Sequence, residues 1–160
     1  MKTALALLLF LAPACAIAAG PQSLGTFGDW TAASYGSGTA KACYGFTTAK
    51  SSSVTLAGHS TAMLTVTRRE SVSGDEVTLT PGYTYPKNPT VTLTVGSTVI
   101  GFYTSGQTAF TTDGAKAVAA FQAGTAATAR SSSPKGTPVV DNFSLKGFSG
   151  AYAAIKKACQ

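Results

Sequence analysis

The chain has 160 residues, 12 lysines and arginines against 6 acids, a net charge of +6, and only 11% charged side chains. That length suits one domain with one sizeable core. The positive charge is spread thinly, with Arg68-Arg69 and Lys156-Lys157 as the only basic doublets, which argues against a nucleic-acid-binding stripe.

The chain opens with Lys2, an apolar run over 5–11 and the small-residue stretch Ala16-Ile17-Ala18-Ala19-Gly20. This is the pattern of a cleaved secretory signal over residues 1–20. Its removal leaves 21–160 as one β-rich domain and, with Lys2 gone, a charge of +6 less one, or +5. The mature protein is expected in the periplasm or outside the cell. The apolar run falls short of the roughly 20 residues a spanning helix needs, and no later segment comes nearer, so no membrane span is expected. Cys15 lacks the leucine three positions upstream that lipid attachment favours, and it leaves with the signal.

Two cysteines then remain, Cys43 and Cys159. In an oxidising compartment they are expected to form a disulfide. A buried free thiol, a cross-link to another chain and a metal ligand are the alternatives. With one histidine and no neighbouring cysteine, a zinc site is not expected.

Taken in order, 27–33 and 40–48 read as strands separated by the Gly36-Ser37-Gly38 loop. If the second strand is regular, Tyr44 and Phe46 point away from Cys43. A bridge at Cys43 then implies a strand covered on both faces or a bulge. Strands follow at 62–68, with Leu64 and Val66 inward, and at 76–80, with Val77 and Leu79 inward. Ser73-Gly74-Asp75 reads as the turn between them. The prolines of 81–89 make that stretch a loop. Val91, Leu93 and Val95 alternate with threonines, Gly96-Ser97 supplies a two-residue turn, and the apolar run 99–103 returns as the second arm of a hairpin.

Asp113 caps a helix with Ala117, Val118 and Phe121 on its inner face, and Gly124 stops it. Residues 131–136 read as a loop, and 137–146 as a strand with Val139, Phe143 and Leu145 on one face. A last helix starts near Ser149 and spaces Phe148, Ala151, Tyr152, Ile155 and Cys159 helically, with Lys156 and Lys157 near its C-terminal dipole. The fold class is therefore mainly β, a single antiparallel sandwich-like or curled-sheet domain with two short helices, one at the C-terminus.

Chemically suggestive residues are few. His59, the only histidine, is the starting point for a small secreted hydrolase, but no nucleophile elbow accompanies it. No two acids stand at a dyad spacing, and the calcium, phosphate and dinucleotide loop patterns are missing. The sequence therefore assigns no catalytic residue, metal or cofactor. The Thr-x-Thr pairs fit the wet face of an antiparallel sheet better than an ice- or glycan-binding face. An adhesin-like module would need an exposed apolar, aromatic or threonine patch, for which Tyr83 and Tyr85 in the proline-rich loop are the local candidates.

Two segments, Phe27-Gly28-Asp29-Trp30-Thr31 and the run from Phe143 through Gly147-Phe148 to Ala151, resemble landmarks of the invasion-associated locus B family of alphaproteobacterial envelope proteins. Ala42-Cys43-Tyr44 resembles that family's early cysteine strand, and the 90–103 hairpin with the Asp113 helix resembles its middle. Phe27 and Trp30 are then core anchors, and Gly147 permits a sharp strand-to-helix turn. The chain lacks further cysteines expected after the tryptophan and around the middle helix. The resemblance brings no catalytic residues; together with the signal and the lack of an assembled catalytic motif, it leads us to expect a non-enzymatic exported envelope protein that binds an unidentified protein or envelope component or supports envelope or host-surface interaction.

Overall fold

The computed structural model describes residues 20–55 and 60–160. The expected signal segment with Cys15, and His59, lie outside the described residues. Strands β1 (Gln22–Phe27) and β2 (Trp30–Tyr35) are followed by a 3-10 turn at Gly38–Ala40, then by β3 (Ala42–Thr48) and the two-residue β4 (Ser51–Ser52). Next come β5 (Met63–Arg69), β6 (Val72–Thr80), β7 (Val91–Val95), β8 (Thr98–Ser105) and β9 (Thr108–Thr111). Helix α1 (Gly114–Ala123) precedes β10 (Ala126–Ser132) and β11 (Pro138–Ser144), and α2 (Phe148–Ala158) ends the chain.

The expected mainly antiparallel β architecture with two helices is what the chain adopts. All the strands join in one sheet, in the order β1-β2-β3-β5-β6-β9-β8-β7-β10-β11-β4. That sheet curls until its ends meet. Only Ala49-Lys50 separates β3, near one end, from β4 at the other, so one short stretch pairs with β5 on one side and with β11 on the other. Backbone bonds from Lys50 to Asn142 (2.7 Å) and from Ser53 to Val140 (2.8 Å) fasten this crossing.

Alternation along the strands fills the inside. Leu64, Val66, Val77, Leu79 and Leu93 are fully buried, as the period-two pattern requires. The 91–103 hairpin forms with Val95 opposite Thr98 about Gly96-Ser97. Asp113 accepts a hydrogen bond from the Lys116 amide at 2.9 Å, and Ala117, Val118 and Phe121 are the buried face of α1. Gly147 adopts φ 92° at the entry to α2, where a side chain would collide with the Phe27 carbonyl. Helix α2 lies over β1, β2 and β3, and Phe148 meets Trp30 edge-on at 4.9 Å and Phe121 at 5.2 Å.

Cys43 and Cys159 form the disulfide, with Cα atoms 5.9 Å apart. Lys41 adds a hydrogen bond from its ammonium to the Ala158 carbonyl. The strand under the bridge is regular: Cys43, Gly45 and Thr47 face inward while Tyr44 and Phe46 lie half-buried on the outer side. Neither a bulge nor a second covering layer is needed, because an outer sheet face tolerates half-exposed aromatics.

Three local readings change. Strand β10 runs through Ser131 and Ser132, so the loop read at 131–136 begins only at Ser133. The stretch 27–33 is not one strand, because Gly28-Asp29 is a hairpin turn with Gly28 at φ 56° and Phe27 opposite Trp30. Ser73-Gly74-Asp75 is not the turn between β5 and β6. The chain reverses at Glu70-Ser71, and the register steps from Arg68–Asp75 to Arg69–Val72, so the φ 100° of Gly74 serves a bulge inside β6.

Candidate functional site

Tyr83 and Tyr85 do not form a surface. They are 3% and 7% exposed and belong to the core beneath the proline-rich loop. A phenol can be buried when its hydroxyl finds a partner. Tyr83 pairs with the Ser131 hydroxyl at 2.9 Å, and Tyr85 donates to the Leu79 carbonyl at 3.4 Å. Burial pushes both phenols above their ordinary value, with a further push on each from the nearby Asp141.

The exposed aromatic surface lies on the outer face of the sheet. Ladder registers place Phe46 beside Thr65, Thr65 beside Thr78, Thr78 beside Phe110, and Phe110 beside Tyr103. One row of side chains thus crosses five strands. Tyr103 is 56% exposed and stacks on Phe110 with ring centres 5.6 Å apart. Tyr44 packs beside Phe46 at 6.2 Å. The threonines of this row are half-buried on the solvent side, as the sequence pattern led us to expect.

Beside the Tyr103–Phe110 stack is a cleft of about 420 Å³, walled by Thr67, Val72, Glu76 and the start of α1 at Asp113. Val72, 57% exposed, stands at its rim. Sequence reasoning missed this site because β9 is only four residues long and did not stand out as a strand. Without β9 nothing brings Phe110 next to Tyr103. The available signal was Gly106-Gln107, a second two-residue turn directly after the 91–103 hairpin.

Four of the acids are committed to structure. Asp75 takes a hydrogen bond from Tyr152 at 2.7 Å and an ion pair from Arg68 at 3.1 Å. Burial, with the adjacent Asp75 carboxylate, raises the Tyr152 phenol to about 12. Asp29 pairs with Lys50 at 2.6 Å, and hydrogen bonds from Lys50 and Ser144 hold its carboxyl below the usual range. Asp113 caps α1, and Glu76 meets Arg69 at 3.4 Å on the surface. Among the described residues there is no group of three or more His, Cys, Asp or Glu placed to hold a metal, and no helix long and apolar enough to cross a membrane. The disulfide suggests an oxidising compartment.

Among solved structures, the fold is similar to the crystal structure of invasion associated protein b from Bartonella henselae. The match has a TM-score of 0.58 and 20% identity, and it covers 84% of this chain and 96% of that one. At that identity the likeness speaks for the fold. No curated protein matches the sequence. The profile of the Invasion associated locus B (IalB) protein family matches residues 30–156, from the core tryptophan to the last helix. The chain therefore belongs to the invasion associated locus B family.

Proposed function

We propose that this protein is an exported, non-enzymatic envelope protein, periplasmic or on the cell surface, that binds a partner through the outer face of its sheet. Residues 1–20 are removed on export, and 21–160 work as one domain. The observation that carries the reading is the row from Phe46 to Tyr103 with the cleft beside it, which sets the exposed Tyr103 ring beside the half-buried Phe110 and Phe46 on a paired ladder. Aromatic side chains on a stiff platform give a large contact area with little conformational entropy to lose. A protein or other envelope component fits this face. Membership of the family and an oxidised cysteine pair support the envelope setting.

The test is a pull-down from envelope extract with the immobilised exported protein and its Tyr103→Ser/Phe110→Ser variant. The wild type should retain a partner that the variant, equally folded by circular dichroism, releases. Identical retention by both proteins would remove the outer face from the function, and retention of nothing by either would remove the binding role.

A further inference from the structure

A second cavity, of about 330 Å³, opens beside β4, where the sheet closes. Asp141 lines it. Along β11 the inward positions are Val139, Asp141 and Phe143, so a carboxyl stands where the strand pattern calls for an apolar side chain. At 3% exposure it is the most deeply buried charged residue among the described residues. Burying a carboxyl costs free energy that a valine at the same place would not. Packing alone therefore does not account for it.

The rest of the wall is made of hydroxyls. Ser51, Ser52, Ser60 and Thr61 stand exposed around the mouth, and Ser52 hydrogen-bonds the Asp141 carboxyl. Tyr83 lies deeper, its hydroxyl held by Ser131. Val54, Ala62 and Pro81 supply an apolar side. Lys50 reaches the rim, but its ammonium is paired with Asp29.

This combination selects a ligand class. A buried carboxyl disfavours an anion, and a wholly apolar ligand would strip water from several hydroxyls without replacing their hydrogen bonds. A ring carrying adjacent hydroxyls satisfies both walls: its O–H groups meet the carboxyl and serines, and its C–H face meets Val54, Ala62 and Pro81. The volume is at the small end of ligand pockets, which run from about 300 to 1,000 Å³, and so suits one ring. We propose that the Asp141 cavity binds a polyhydroxylated ring, a single sugar unit or cyclitol, with Asp141 accepting hydrogen bonds from adjacent ligand hydroxyls. The site is separate from the aromatic outer face.

The test is a titration of the ¹⁵N-labelled exported protein with D-glucose, myo-inositol, maltose and, as a cationic control, ethylammonium chloride, followed by amide chemical shifts. A hydroxylated probe should shift Ser51, Ser52, Thr61 and Asp141 saturably and leave Tyr103 and Phe110 in place. Glucose or inositol binding without maltose identifies a free ring as the ligand, and maltose binding of equal strength identifies the end of a glycan chain; either supports the site. Asp141→Asn should weaken binding at least tenfold. Thr61→Trp, at an exposed position lining the cavity, should block the mouth and abolish binding, and it carries the test if the Asp141 variant does not fold. No saturable shift with any hydroxylated probe up to 50 mM-scale concentrations, on the order of weak single-ring binding, would overturn the proposal. So would ethylammonium binding in their place, or wild-type affinity in Thr61→Trp.

Discussion

Trp30 donates its indole N–H to the carbonyl oxygen of Ser144 at 3.0 Å, although 114 positions separate them in the chain. The bond joins the second strand of the sheet to the next-to-last, and the neighbouring Asp29 amide repeats the connection to Lys146 at 2.9 Å. The same indole ring packs on Phe148 and Phe121, so one side chain ties sheet closure to the seating of both helices. Trp30→Phe keeps an aromatic ring but leaves the Ser144 carbonyl without its donor. An unsatisfied buried acceptor costs about 1–3 kcal/mol, and the lost ring volume adds to it. Equilibrium unfolding in urea should show a loss of about 2–4 kcal/mol with an unchanged m-value, whereas a loss under 1 kcal/mol would mean that the sheet closes without this residue.

The disulfide acts on the other end of α2. Cys159 is the residue at which the helix stops, and Cys43 is in β3 beneath it. Bridges closing loops of this size contribute about 2–5 kcal/mol, chiefly by restricting the unfolded chain. Reduction, or Cys159→Ser, should lower global stability by that order. The local response should be uneven: amides over 151–158 should exchange faster before those of β5, because Leu64 and Val66 are packed by neighbouring strands independently of the bridge. Uniform acceleration across helix and sheet would contradict this division.

Asp141 gives stability a pH dependence of predictable sign. Burial raises its carboxyl above the ordinary 3.8, with the Ser52 hydrogen bond opposing the rise in part. As pH climbs past 3.8 the unfolded chain releases this proton first, so the folded state binds more protons and stability falls until the folded-state value is passed. The neighbouring phenols Tyr83 and Tyr85 stay neutral throughout, since both are shifted upward. Asp29 has the opposite sign: its depressed carboxyl contributes stability above 3.8 that is lost as pH falls through the folded value. The difference in melting temperature between Asp141→Asn and wild type cancels the Asp29 contribution. It should be least favourable to the variant near pH 3.5 and rise in the variant's favour toward pH 7. A difference that stays flat over this range would show that the carboxyl is not held in a raised state.

Where sequence and structure agree, the local signal had both a pattern and a terminator. Val91, Leu93 and Val95 alternate with threonines and end at Gly96-Ser97, and α1 has Asp113 at its start and Phe121 on its inner face. Where they part, the signal lacked amplitude or could serve two purposes. Strand β10 places only Ala127, Ala129 and Ser131 inward, small side chains that produce alternation without hydrophobic contrast. Gly74 has the positive φ of a turn glycine but uses it in a bulge. The prolines around Tyr83 and Tyr85 do mark a loop, yet that loop folds its aromatic rings into the core, which composition cannot reveal. Both candidate surfaces depend on pairing distant strands: Phe110 meets Tyr103 only through β9, and Asp141 meets Ser52 only when β4 closes the sheet.

Gly124 shows how the physical reason for a residue can differ from its pattern. It ends α1, as a glycine after a helix commonly does, but its φ of −100° and ψ of 168° are open to any residue. What excludes a side chain is space: a Cβ there would overlap the Val95 Cγ1 methyl and come within 3.2 Å of Leu145 Cδ1. Gly124→Ala should therefore destabilise by about 1–3 kcal/mol through overpacking, not through backbone strain. The two causes separate in a double-mutant cycle. In a Val95→Ala background the obstructing methyl is gone, and Gly124→Ala should become neutral or stabilise by up to about 1 kcal/mol, because alanine restricts the unfolded chain more than glycine does. If the cost of Gly124→Ala is the same in both backgrounds, the glycine is required by its backbone and not by the close approach of β7 to the end of α1.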